Sequence, residues 1–140
     1  MFPLVRIEVE VDGEWQVDTM PEDMPLVAVT TDGVFLLTGC GHAGLVNSVL
    51  FANELTGRPV KGAIGGFHLF LYSDEELRWT AEHLQSARVR TLSGAHCTGI
   101  ESTMKLRHHL GASADQVYVS GVGSVFRSAN GGRRPAEGRF

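Results

Sequence analysis

Val34-Phe35-Leu36-Leu37-Thr38-Gly39-Cys40-Gly41-His42-Ala43-Gly44-Leu45-Val46-Asn47 is the stretch whose reading decides the fold. Val34 to Leu37 is apolar without alternation, which predicts a strand covered on both faces, hence a central one. A glycine-rich turn follows. From Gly44 to Leu55 the spacing changes, and Leu45, Val49 and Ala52 fall on one helical stripe. Thr56-Gly57 closes that helix. Strand, glycine turn and helix in this order make one unit of an α/β layer arrangement.

The unit recurs downstream. Val60 to Gly65 reads as a short buried strand running into Gly65-Gly66-Phe67-His68. Ser73-Asp74-Glu75-Glu76 then has the pattern of a capping box, with Ser73 as the cap and Glu76 reaching back. The helix it opens carries Leu77, Ala81 and Leu84 on one stripe. Arg88 to Leu92 is the next predicted strand, followed by Gly94-Ala95-His96-Cys97 and a helix from Glu101 to Leu110 that Gly111 stops. Val117–Val119 and Val122–Phe126 predict a last strand or pair.

Upstream, Leu26–Thr30 and Val34–Thr38 flank Thr31-Asp32-Gly33, and Asp-Gly favours the tight turn of a hairpin. A second hairpin is predicted where Arg6–Val11 alternates, turns at Asp12-Gly13 and returns through Trp15–Val17. Pro21 to Pro25 is a polar link carrying Glu22 and Asp23. The expected class is α/β with a mixed sheet, as one domain over residues 1–127. Residues 128–140, rich in glycine, arginine and proline, are expected to be a disordered tail.

With 140 residues, 43% of them apolar and 20% charged, the chain has the composition of one globular domain. A net charge of −4 without a basic stripe gives phosphate backbones nothing to bind, so nucleic acid is not an expected partner. No apolar run approaches the ~20 residues of a membrane helix. Met1-Phe2-Pro3 leads into an alternating segment rather than a secretory leader, and the chain reads as cytoplasmic. The two cysteines, Cys40 and Cys97, are too few for a disulfide scaffold, and each stands beside glycine or histidine.

Three strand-like runs each end in glycine and then histidine: His42, His68 and His96. Loops at the carboxyl ends of parallel strands converge on the usual ligand crevice of such folds. One histidine after a glycine is ordinarily a turn residue. Three at the same structural place read as a rim of neutral nitrogen donors suited to a divalent transition metal. Cys40, two residues before His42, and Cys97, directly after His96, are placed to add a thiolate or simply to pack. His83 is expected on a solvent-facing helix surface. His108 and His109 belong at a helix carboxyl end, where positive charge suits the dipole. Trp15 and Trp79 read as packing residues, Asn47 as the polar side of a helix, Thr98-Gly99 as a cap, and Glu22 and Asp23 first as a solvated link and only second as residues near a metal.

Thr38-Gly39-Cys40-Gly41-His42-Ala43-Gly44-Leu45-Val46-Asn47, Gly65-Gly66-Phe67-His68-Leu69 and Gly94-Ala95-His96-Cys97-Thr98-Gly99, in this order, resemble the metallo-β-lactamase superfamily. The likeness is to its metal-dependent hydrolases of the dihydropterin ribofuranosyl-aminobenzene-phosphate synthase type, and it runs from Pro21 to Phe126. It implies half of an αββα sandwich, the C-terminal half, with helices on one face of a mixed sheet. It implies His96 as a metal ligand, Cys40 or His42 at the place of a metal-bridging acid, and His68 as a third site residue. The implied cofactor is a divalent metal, zinc first and iron or manganese as alternatives. Complete members carry an earlier His-x-His-x-Asp-His loop, and these 140 residues contain none.

Three functions follow. The chain is one half of a split hydrolase of ester, lactone or phosphoester bonds, completed by a second polypeptide with that loop. Alternatively it is a homodimeric metal-binding or regulatory module. The third reading is a degenerate relative without activity.

Overall fold

The computed structural model describes residues 8–18 and 23–126. The expected tail from residue 128, and Arg6, Ile7, Pro21 and Glu22 of the predicted upstream elements, lie outside the described residues. Glu8–Val11 (β1) and Glu14–Val17 (β2) form a separate antiparallel hairpin. Its turn places Asp12 at φ 53° and Gly13 at φ 84°, as the Asp-Gly pair predicts.

The main body runs Leu26–Val29 (β3), Val34–Thr38 (β4), Leu45–Thr56 (α1), Val60–Gly66 (β5), Asp74–Ser86 (α2), Thr91–Ala95 (β6), Ile100–Leu110 (α3) and Val117–Val119 (β7). The sheet order is β3-β4-β5-β6-β7. β3 meets β4 antiparallel, and the other pairs are parallel. β4 is paired on both sides, as its unbroken apolar run predicts. Because β4, β5 and β6 are parallel, their carboxyl ends share one edge, and the three histidine loops leave the sheet there.

The register sorts the sheet into rows. Val27, Leu36, Ala63, Leu92 and Val117 stand side by side on one face. That row meets Leu45, Val49 and Ala52 of α1, Leu77, Ala81 and Leu84 of α2, and Leu106 of α3 in one core. Burying each of the leucines contributes roughly 1.5–3 kcal/mol. The next row, Leu26, Leu37, Ile64, Ser93 and Tyr118, points to the opposite face, because side chains alternate along a strand. None of its members joins that core. All three helices of the described residues thus pack on one face, and Leu26 and Leu37 remain 64% and 41% exposed on the other.

Four expectations need correction. β6 spans Thr91–Ala95 rather than Arg88–Leu92, because Arg88, at φ 62°, belongs to the turn that leaves α2. Val122–Phe126 is not a strand. Gly121 closes a turn with Ser124, Gly123 sits at φ 85°, and Phe126 folds its ring edge-on against Phe35. Trp15 is 68% exposed on the hairpin rather than packed, while Trp79 does pack against the core. His83 is half-buried rather than solvent-facing, with Nδ1 2.8 Å from the Trp79 carbonyl and its ring against that indole.

Candidate metal centre

The loops that follow β4, β5 and β6 meet around Gly66. The Gly66 N–H donates to the Gly39 carbonyl at 2.9 Å, and its own carbonyl accepts from Thr38 Oγ1 at 2.7 Å. Thr98 clamps the same place from the third loop. Its hydroxyl oxygen accepts from the Phe67 N–H at 3.0 Å and donates to the Gly65 carbonyl at 3.2 Å. The cap expected at Thr98 is therefore a cross-loop tie, and Gly99 alone precedes α3. Gly41, at φ 69°, takes a conformation that a side chain resists, and a Cβ there would strike the Gly66 carbonyl.

This packing brings Cys40, His96 and Cys97 together. Their ligand atoms all lie within 4.8 Å of one another, and this is the one such donor group among the described residues. Cys40 Sγ is 3.5 Å from His96 Nδ1. The Cys97 thiol donates to the Cys40 carbonyl at 3.0 Å. Burial pushes the Cys97 thiol up, against the pull of the His68 backbone N–H, and the neighbouring Cys40 pushes it further up.

His42 and His68 form a separate pair, edge to face, with ring centroids 4.6 Å apart. Phe70 backs His68 at 5.2 Å. His68 Nδ1 is buried with no hydrogen-bond partner among the described residues. Burial holds the His68 imidazole below its usual range, with His42 adding to the effect and Asp23 opposing it. His68 and His96 sit at φ 49° and 48°, a region that non-glycine residues enter at a cost and often at functional positions.

The four residues read from the sequence as ligands thus divide. Cys40 and His96 touch, and His42 and His68 stand as a ring pair outside that donor group. Cys97 joins the donors more closely than its sequence reading suggested. Asp23, read first as part of a solvated link and only second as a residue near a metal, is a site neighbour. Its Oδ2 accepts from the Ala43 N–H at 2.7 Å and so holds the turn beside His42. Its only sequence signal was an acidic residue in a proline-flanked link. His109, expected merely to suit a helix end, binds Asp74 at 2.8 Å.

No protein-family model matches the sequence. The chain is 36% identical over 95 residues to an uncharacterized protein of Methanocaldococcus jannaschii, covering 68% of this chain and 34% of that one. It is 30% identical over 92 residues to the 7,8-dihydropterin-6-methyl-4-(beta-D-ribofuranosyl)-aminobenzene-5'-phosphate synthase of the same organism, covering 65% of this chain and 31% of that one. The chain therefore spans about a third of the length of these curated relatives. The solved structure of a metal-dependent hydrolase of the beta-lactamase superfamily superposes with a TM-score of 0.69 at 28% identity, covering 81% of this chain and 42% of that one. The fold is of the metallo-β-lactamase type.

The donor chemistry fits the divalent metal that a metallo-β-lactamase fold implies. A tetrahedral zinc separates a sulfur and a nitrogen donor by about 3.6 Å. The Cys40–His96 distance of 3.5 Å matches that edge. His68 Nδ1, buried and without a partner among the described residues, is the kind of orphaned atom that a further ligand would satisfy. No helix of the described residues is long and apolar enough to cross a membrane.

Proposed function

We propose that this chain is the metal-holding half of a metallo-β-lactamase-fold hydrolase, completed by a second polypeptide with a His-x-His-x-Asp-His loop. The observation that carries the reading is the meeting of three strand-end loops at Gly66, which gathers Cys40 and His96 and sets His42 and His68 beside them. Cys40 and His96 would hold a divalent ion, zinc first, with His42 and His68 as ligands to the same centre or as groups contacting substrate. Such an ion, when bound, polarises the scissile bond and lowers the pKa of water. Phe70 shields one side of His68, and Asp23 fixes the turn that carries His42. The bond is an ester, lactone or phosphoester, and the 5'-phosphate in one relative's name favours the last. The chain would work in the cytoplasm.

The test is turnover of a chromogenic phosphodiester and a chromogenic ester by the zinc-loaded chain, alone and mixed with a polypeptide bearing the missing loop. Activity is expected only in the mixture and is lost in His96→Ala. Full turnover by the chain alone would falsify the split-enzyme reading.

A second reading has its own observation. Leu50, Phe51 and Leu55 stand 52%, 61% and 64% exposed on α1. Phe51 and Leu55 line a groove of about 350 Å³ with Met24, Pro25 and Val27. A two-fold contact through that surface would make a homodimeric metal-binding or regulatory module without hydrolase activity. A solution mass of twice the chain, reduced to one by Phe51→Glu, supports it.

A further inference from the structure

We propose that Cys97 is a metal donor, so that Cys40, His96 and Cys97 form a two-sulfur, one-nitrogen site for a thiophilic ion. The inference rests on the metal reading above and adds to it both a ligand and a preference among metals.

The geometry gives three independent supports. The first is convergence: all three ligand atoms lie within 4.8 Å of one another, although Cys40 leaves β4 and the other two leave β6. The second is that Cys97 faces inward over the centre of the site. A Cβ built on Gly66 would meet Cys97 Sγ at 2.9 Å and Cys40 Cα at 3.1 Å, so both cysteines pack against the same bare backbone. The third is the short turn His96–Thr98, which turns consecutive residues toward one loop: His96 to the Cys40 sulfur, Cys97 to the Cys40 carbonyl.

Soft sulfur donors rank metals differently from oxygen donors. Two thiolates and an imidazole suit zinc, cobalt(II) or iron, and disfavour magnesium and manganese. Binding an ion displaces the thiol protons, and the hydrogen bond from Cys97 to the Cys40 carbonyl is given up in exchange. His42 and His68 lie outside this donor group. That leaves them to a neighbouring position, as further ligands or as groups contacting substrate.

The experiment titrates the full reduced chain with cobalt(II) alone and reads absorption. Thiolate-to-cobalt charge transfer is expected in the near ultraviolet. Cys97→Ser should diminish the band and weaken binding more than about 100-fold, beyond the scale of losing an outer-shell partner. Serine keeps a donor for the Cys40 carbonyl, so the loop should retain its fold, which far-ultraviolet circular dichroism checks. His108→Ala, at an exposed position of α3, should leave the band intact. A second readout counts alkylated thiols by mass: zinc should slow labelling of both cysteines, and manganese should not.

Cobalt binding without a thiolate band, or a band unchanged in Cys97→Ser, overturns the two-sulfur site while leaving a metal centre in place. Failure of the chain to bind cobalt or zinc at all overturns both readings.

Discussion

Gly66 sits where the three loops meet, and it has no room for a methyl group. A Cβ there would collide with the Gly39 carbonyl and press on Cys97 Sγ and Cys40 Cα. Gly66→Ala must therefore push the first and third loops apart. The expected cost is about 1–3 kcal/mol, as for other overpacked sites. It should be read as a lower urea midpoint, accompanied by weaker cobalt binding. An unchanged midpoint would mean that the loops give way freely. The repeated glycine-histidine ends were legible in the sequence because glycine before histidine at a strand end is a local pattern. The division into a Cys40–His96 contact and a His42–His68 pair was not. It depends on the positive φ of His68 and His96 and on the turn at His96–Thr98, which no residue type announces. The tie between Asp23 and Ala43 was equally hidden, since it spans twenty residues.

The second helix, α2, shows how much an element can declare about itself. Ser73 accepts from the Glu76 N–H, and the Glu76 side chain accepts from the Ser73 N–H at 2.7 Å, the reciprocal box that the sequence predicts. Ser73→Ala should cost about 0.5–2 kcal/mol, measured by urea unfolding, and Ser73→Asp should recover most of it. What the helix does not declare is its tie to α3. Asp74 bonds His109 at 2.8 Å and Arg78 at 3.1 Å. The His109 hydrogen bond, with the nearby positive groups, holds the Asp74 carboxyl below its usual range. A depressed carboxyl stabilises the fold above its unfolded pKa, about 3.9, and that contribution is lost as pH falls through the lower folded value. Wild type should therefore lose more stability than Asp74→Asn between pH 5 and the acid limit, the two converging once Asp74 is protonated. Parallel curves across that range would exclude the effect. The strand ends were less legible than the helices. β6 runs through Gly94, a residue that by itself signals a stop, because Thr98 and Thr103 pack where a side chain would stand.

At the scale of the whole molecule, the described helices cover one face of the sheet; on the other, Phe126 packs on Phe35 and Ser93 is buried, while Leu26 and Leu37 stay exposed. Every helix of the described residues joins the core on the side of Leu36, Ala63 and Leu92. The opposite row sets Leu26, Leu37 and Ile64 side by side without a helix over them. In the proposed split enzyme this strip is where the second half would lie. The matched hydrolase chain is more than twice as long as the part this chain covers, so its remaining residues are available to lie against such a face. The two proposed assemblies therefore use different surfaces: the sheet face for a completing half, the outer side of α1 for a self-dimer. Leu37→Lys separates them. Leu37 is already 41% exposed, so the isolated chain should lose no more than about 0.5 kcal/mol, the usual range for surface changes. Buried against a second sheet, the same lysine would place an unpaired charge in an apolar layer, at a cost that prevents association. Sedimentation of the mixture should then show the complex with wild type and two free chains with Leu37→Lys, while Phe51→Glu leaves the complex whole. The reverse pattern, Phe51→Glu disrupting and Leu37→Lys indifferent, would move the interface to α1 and favour the homodimeric module.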